Sequence, residues 1–456
     1  MKKWDLCSDS NGTSEGTWYI VLGTLYNEVL LLDTNYLILF LISNAELRLM
    51  NEEVGICVLT QMELLKLLCT LYLVHCTFYI VHSAFLFSSK NAILLTMKKI
   101  GFFSALILPA LLVLGLYLGG PFQWMIHIFV FLLVPLMDYL LQKDTVNVAA
   151  GDVSGVTKEQ FYKLITFVWV YVQLAILIWG LYVVSTQPMS ILSWIAFTTG
   201  MALVTGGIGI TVAHELGHRT EKIEQAYSKI LLMTVCYMHF FIEHNRGHHV
   251  RVATPEDPAT SRKGESFYGF WWRSVTQGYR SAWHLELERL KKKGHGFWSL
   301  SNQMIWFQVF PIAFIVFFFG LFSFLQGRWV WEVPTFFFVQ SFLAFSLLEL
   351  VNYLEHYGME RAKLPSGQYE KVTPIHSWNA SQLVSNFLLF QLQRHSDHHA
   401  YAHKRYQVLD HNEASPQLPA GYSAMIILAC FPPLWFAVMD SRLSDWQKER
   451  KLDLVK

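Results

Sequence analysis

Residues 214–218 read HELGH and residues 243–249 read EHNRGHH, and the reading of these two strings decides what kind of chain this is. A second histidine-dense stretch, LQRHSDHHA at 392–400, holds His395, His398 and His399, and an EHYG between them carries His356. The nine imidazoles fall where hydrophobic segments end. In a helix, residues three or four apart share a face, about 5–6 Å apart. His214 and His218 obey that spacing, as do His244 and His248, and His395 with His398 and His399. Each motif is therefore expected to present two or three imidazoles to a common point. An isolated histidine such as His127 or His239 reads as a cap or a satisfied core residue, but three clusters and EHYG in one chain point to a metal centre.

The surroundings of the motifs are apolar. Of 456 residues 53% are hydrophobic and 15% charged, which argues against a string of soluble domains. Runs of about 20 apolar residues recur, long enough to cross a bilayer. Six of them, at 100–118, 121–141, 162–185, 189–212, 304–326 and 333–355, predict an all-α integral membrane protein with a six-helix transmembrane core. Lys98, Lys99, Lys143, Lys158 and Lys163 flank one side of this core, together with the basic insert 214–303. The opposite turns are short, and Arg328 is their one basic residue. The excess of lysine and arginine places the insert in the cytoplasm. The fourth and sixth segments then emerge on that side, where His214 and His356 lie. Residues 226–242 and 423–439 are apolar but too short to span and read as dipping or interfacial segments.

Residues 1–96 read differently. The runs 18–43 and 54–88 are interrupted by Glu28, Asp33, Glu63 and Lys66, each costing about 2.5–3.5 kcal/mol at a bilayer centre. MKKIGFFSALILPALL, starting at Met97, reads like a native amino terminus, so 1–96 is expected to be an upstream extension: accessory segments or a misassigned start. The chain then divides into this extension, one membrane domain at 97–441 and a polar tail at 442–456.

Imidazole suits zinc, copper, iron and nickel. A closed structural zinc needs four ligands, so nine histidines imply two ions or a surplus. HELGH also matches HExxH, in which two histidines bind zinc and the glutamate serves as the base of a peptidase. That reading leaves the other seven histidines unexplained. Each cluster has an adjacent acid, Glu215, Glu243, Glu355 or Asp397. These are expected to accept from the outer N–H of ligand histidines and to offset the charge of two divalent ions. The six cysteines are scattered with no CxxC pair, so neither a disulfide framework nor a sulfur-ligated centre is expected. The glycine string TGGIGIT at 205–211 lies inside an apolar span and reads as close helix packing rather than a nucleotide loop. A net charge of +1 gives no sign of nucleic-acid binding.

HELGH, EHNRGHH followed by VATPEDPATSRKGESFYGF, NYLEHYG and LQRHSDHHA strongly resemble the membrane-bound alkane 1-monooxygenases, integral-membrane non-haem diiron hydroxylases. The similarity runs from about 97 to 440. Fatty acid desaturases and sterol-type hydroxylases share the general histidine plan, and xylene-type monooxygenases are nearer relatives. The resemblance implies two iron ions held by His214, His218, His244, His248, His249, His356, His395, His398 and His399, with O2 as co-substrate. His376, His403 and His411 are expected to be polar loop residues.

The implied activity is conversion of a medium- or long-chain n-alkane to a primary alcohol, in a bacterial inner (plasma) membrane. Attack on aromatic methyl groups or fatty acyl chains is the alternative. Substrate is expected to enter from membrane lipid through a channel lined by the second, fourth and sixth spans. Electrons are implied to come from rubredoxin, reduced by an NAD(P)H-dependent rubredoxin reductase. Arg289, Lys291, Lys292 and Lys293 would dock such an acidic partner.

Overall fold

A computed structural model describes residues 98–453; the expectations placed on 1–96 lie outside the described residues. Six helices are long and apolar enough to cross a membrane: α1 (Lys98–Leu118), α2 (Gly120–Leu141), α3 (Gln160–Thr186), α4 (Ile191–Gly217), α8 (Gln303–Gln326) and α9 (Glu332–His356). Helices satisfy every backbone N–H and C=O within the segment, which hydrocarbon demands. Among the described residues there is no strand, only isolated bridges. The spans also keep large apolar side chains on their outer surface, such as Leu132 and Leu140 on α2 and Val316, Phe317 and Phe324 on α8. In water that surface would be a liability; against lipid tails it is the expected exterior.

The predicted spans hold, and all six run slightly longer than hydropathy indicated. α4 runs on to Gly217 and α9 to His356, so HELGH and EHYG are the last turns of membrane helices. Within α4 the backbone widens into a π-helical segment at Leu203–Gly209. The glycine string lies here, and its reason is contact. A Cβ on Gly206 would lie 2.7 Å from the Cα and the carbonyl oxygen of Ala344 on α9. Such close backbone approach is how helices associate where no hydrophobic force drives them together. A π turn inserts one residue into the helical count, so it also sets the rotation at which HELGH emerges.

Buried hydrogen bonds join the spans at this level. Trp169 donates to Gln173 at 3.0 Å, and Gln173 donates to the Thr234 hydroxyl at 2.7 Å. The Thr205 hydroxyl donates to Gln340 at 2.8 Å, and the Gln340 amide reaches the Thr234 carbonyl at 2.9 Å. One ladder of neutral polar groups thus links α3, α4 and α9 to the insert.

The insert between α4 and α8 folds as α5 (Lys222–Met233), a tight turn with Cys236 in the left-handed region (φ 52°), α6 (Phe240–Glu243) and α7 (Phe267–Lys292). The run expected to dip as one piece, 226–242, is therefore two helices broken at 234–239. Beyond α9 the chain forms α10 (Leu383–Leu388), α11 (His395–Ala400), α12 (Tyr422–Ala429) and α13 (Pro432–Asp453). Residues 442–453, the start of the polar tail, are the last turns of α13. Cys236 and Cys430 are free thiols.

Candidate metal centre and its cavities

The nine histidines meet in one place. They arrive from the ends of α4 and α9, from α6 and its continuation, and from α11. They sort into two groups, each with one ligand atom per ring, all within 4.8 Å of one another. One group is His214, His218, His244, His249 and His398; the other is His248, His356, His395 and His399.

This sorting differs from the common point expected for each motif. His214 and His218 do share a group, but His248 leaves His244 for the other group, and His398 leaves His395 and His399. The backbone supplies the reason in the second motif. α6 passes into a π turn at His244–His248 before continuing as His249–Arg251. A π turn brings residues five apart into register, so His249 rather than His248 lies beside His244. On the regular helix α11, His395 and His399 at four apart share a face.

The separations suit metal ligands. His244 Nε2 lies 3.0 Å from both His218 Nε2 and His249 Nε2, while 3.2 Å separates His248 Nε2 from His399 Nε2 and His395 Nε2 from His356 Nε2. Two nitrogens at right angles on an ion with bonds of about 2.1 Å would sit roughly 3 Å apart. His214 Nε2 and both nitrogens of His398 are buried without a hydrogen-bond partner, a condition native proteins avoid unless another ligand satisfies them. Burial, reinforced by the neighbouring imidazoles, holds His218, His244, His249, His395, His398 and His399 well below the ordinary histidine range. They remain neutral, the form that offers a lone pair to a metal.

The four acids beside the motifs occupy different positions. Glu355 touches a ligand ring: its Oε2 is 3.1 Å from His395 Nε2, and its Oε1 accepts from the Tyr422 hydroxyl at 2.6 Å. That contact is on the nitrogen that also faces His356, not on the outer N–H expected from the sequence. Glu215 instead pairs with Arg219 at 3.2 Å, Glu243 with Arg251 at 2.6 Å and Asp397 with Lys404 at 2.9 Å. Burial pushes the Glu243 carboxyl up to about 7 even so. The acid that meets an outer ring nitrogen is Asp257, whose Oδ2 lies 2.8 Å from His248 Nδ1 and accepts from Thr260 at 2.6 Å. Sequence reasoning missed it because it stands eight residues beyond His249, in the TPEDPATS loop rather than beside a motif.

Arginine ties the parts together. Buried Arg219, just after HELGH, donates to the carbonyls of His403 and Lys404 at 2.8 Å each, fastening α4 to the loop after α11. His376 and His411 hydrogen-bond to Glu370 and Ser381, His403 is exposed, and none of the three belongs to either group. Arg289 is committed to Glu286 at 2.7 Å, while Lys291, Lys292 and Lys293 are exposed.

An apolar cavity of about 90 Å³ ends on His214, His244 and His395. Its walls come from α2 (Phe131, Val134), α4 (Leu203, Ile208) and α9 (Leu347, Val351), and also from α1, α10 and α12. The second, fourth and sixth spans thus line this cavity, joined by α1, α10 and α12.

An all-helical membrane bundle with paired histidine groups at one end defines a class, the membrane metal enzymes of the fatty acid desaturase type. The family model described as fatty acid desaturase matches residues 189–429. Alkane 1-monooxygenase 2 of Pseudomonas aeruginosa is 42% identical over 367 residues, covering 78% of this chain and 95% of that protein. Alkane 1-monooxygenase 2 of Alcanivorax borkumensis is 39% identical over 370 residues, 79% of this chain and 94% of its own length. The hydroxylase component of xylene/toluene monooxygenase from Pseudomonas putida is more distant, at 26% over 341 residues, 74% of this chain and 86% of that protein. The chain belongs to the alkane 1-monooxygenase family.

Proposed function

We propose that this enzyme hydroxylates the terminal methyl of medium- and long-chain n-alkanes. The balance is RH + O2 + 2 H⁺ + 2 e⁻ → ROH + H2O. The observation that carries the reading is the apolar cavity, which runs among spans and ends on three of the nine histidines. A hydrocarbon has no polar handle, so it can be oriented only by shape, and a cavity closed by ligand rings presents one chain end to the site.

We assign His214, His218, His244, His249 and His398 to one iron ion, and His248, His356, His395 and His399 to the second. When bound, the two ions supply the redox chemistry that activates oxygen. The chain's own residues do the rest. Leu347, Val351 and Phe131 hold the alkane and keep bulk water from the reacting end. Asp257 fixes the tautomer and orientation of His248. Glu355, held by Tyr422, lines the cavity beside His395.

The electrons come from reduced rubredoxin, itself reduced by an NAD(P)H-dependent reductase, and Lys291–Lys293 steer that acidic carrier. The insert faces the cytoplasm of a bacterial inner membrane, as the lysine and arginine distribution directs. The deciding experiment is metal analysis of the purified protein, paired with turnover of a medium-chain alkane supplied with rubredoxin and its reductase. About two irons per chain and oxygen-dependent 1-alcohol formation are expected. Zinc in place of iron, or no alcohol, would overturn the assignment.

A further inference from the structure

A second, smaller cavity also reaches the histidines, and two carboxylates line it. It is lined by His244 and His248, one from each metal-binding group, and by Glu243, Ser274, Glu349 and Asn352. We propose that this cavity is a water-filled proton route into the site, with Glu349 as its relay residue. The inference rests on the monooxygenase reading, whose balance requires two protons for every oxygen molecule. One oxygen atom enters the C–H bond, the other leaves as water carrying both protons, and the external carrier supplies both electrons. Bound alkane would fill the first cavity, so the protons need a path of their own.

Glu349 is a buried carboxylate on a membrane span, and the groups that hydrogen-bond to it are neutral. The Tyr237 hydroxyl donates to Oε1 at 2.8 Å, the Asn352 amide lies 3.4 Å from Oε2, and Ser274 bonds to the same side chain. An acid placed at such cost inside a span ordinarily marks a proton or ion path. Across the cavity, Glu243 is also more than nine-tenths buried, and its Oε2 has no hydrogen-bond partner. A volume of about 20 Å³ admits one water molecule, since roughly 10–15 Å³ suffices where polar groups surround it. A water there satisfies Glu243 and reaches toward Glu349.

The cavity lies between a partly exposed side chain and the two histidine groups. On the outer side, Glu243 Oε1 is held at 2.6 Å by Arg251, whose side chain is 28% exposed. On the inner side, Phe240, His244 and Asn352 line both cavities. Protons therefore arrive where the two cavities share residues, beside His244.

Glu349→Gln tests the relay, because glutamine keeps the shape and the Tyr237 hydrogen bond but cannot pass a proton. Expected are full metal content, unchanged KM, a fall in kcat of about 10²-fold, a larger solvent deuterium isotope effect on kcat, and partial recovery in Glu349→Asp. A Glu349→Gln variant with wild-type kcat and isotope effect would overturn the proposal. So would loss of the metals with no kinetic signature in the protein that retains them. Infrared spectroscopy of the intact protein gives a readout independent of turnover. A carboxyl infrared band that is lost in Glu349→Gln should shift on transfer of the protein to D2O, and a Glu349 band that does not shift would count against a solvent-connected route. If the unaltered protein makes no alcohol at all, it is the monooxygenase reading that has failed, not the relay.

Discussion

His244 and His248 stand one turn apart on the same segment yet serve different metal-binding groups: His244 Nε2 lies 3.0 Å from His218 Nε2, and His248 Nε2 lies 3.2 Å from His399 Nε2. α6 and its continuation therefore act as the wall between the two groups and as a supplier to both. The same holds for α11, which sends His398 one way and His395 with His399 the other. The five-histidine group draws on α4, the insert and α11, and the four-histidine group on the insert, α9 and α11, so each forms only when segments distant in sequence come together.

That division gives the first prediction. His399→Ala removes a ligand from the four-histidine group alone, and His218→Ala removes one from the five-histidine group alone. Each should lower bound metal from about two ions per chain toward about one, because ligand loss acts on its own site first. The two single variants combined should approach none. Metal analysis after gel filtration measures this, and a single variant that loses both ions together would show that the groups are not separable.

Asp257 gives the second. It meets His248 Nδ1 at 2.8 Å and is itself held by Thr260. Asp257→Asn keeps the size but weakens the charged acceptor, and partners of this kind are worth roughly 10–100-fold in metal affinity or activity. A loss of that size should appear in chelator competition as one weakened ion rather than two, since the carboxylate touches only the four-histidine group. Equal weakening of both ions would contradict the assignment.

These two cases also show what was legible in the sequence and what was not. The six spans follow from hydropathy because the bilayer enforces length and composition. The nine histidines follow from their clustering. Their partition does not, since i, i+4 spacing assumes a regular helix and the π turn at His244–His248 replaces it with i, i+5. Asp257 was hidden because its role depends on where a loop folds back, not on which residue it follows. Glu215, Glu243 and Asp397 stood next to ligands in sequence, but a neighbour on a helix points about 100° away, and there they found Arg219, Arg251 and Lys404.

The basic run at the end of α7 gives a third prediction. Gly278 lines the small cavity with His244 and His248, and Lys292 lies 14 residues further along the same helix, roughly 21 Å at 1.5 Å per residue. On the proposed docking role, Lys291–Lys293 act on the partner at a distance rather than at the metals. Reversing all three to glutamate should slow rubredoxin-dependent turnover several-fold at low salt and flatten its salt dependence, with little change above about 0.5 M salt. Stopped-flow oxidation of reduced rubredoxin across an ionic-strength series reads this directly. An unaltered salt dependence would remove these lysines from the docking surface and leave them as flanking charges of the membrane.

The glycine contact between α4 and α9 gives the last. A Cβ on Gly206 would meet the Cα and carbonyl oxygen of Ala344 at 2.7 Å, and these are backbone atoms that cannot swing aside. On Gly207, one residue later, the nearest atom is a leucine methyl at 3.8 Å, an ordinary contact. Gly206→Ala should therefore force α4 and α9 apart and destabilise the protein by about 1–3 kcal/mol. Gly207→Ala should be neutral or slightly stabilising, because alanine is the better helix former by about 1 kcal/mol. The two substitutions make the same chemical change in the same turn, so their difference isolates the packing. Because α4 carries His214 and His218 and α9 carries His356, Gly206→Ala should also lose metal more readily to a chelator. Thermal unfolding in detergent and chelator half-times measure both effects, and equal behaviour of the two variants would mean that the close approach of these helices does not hold the site together.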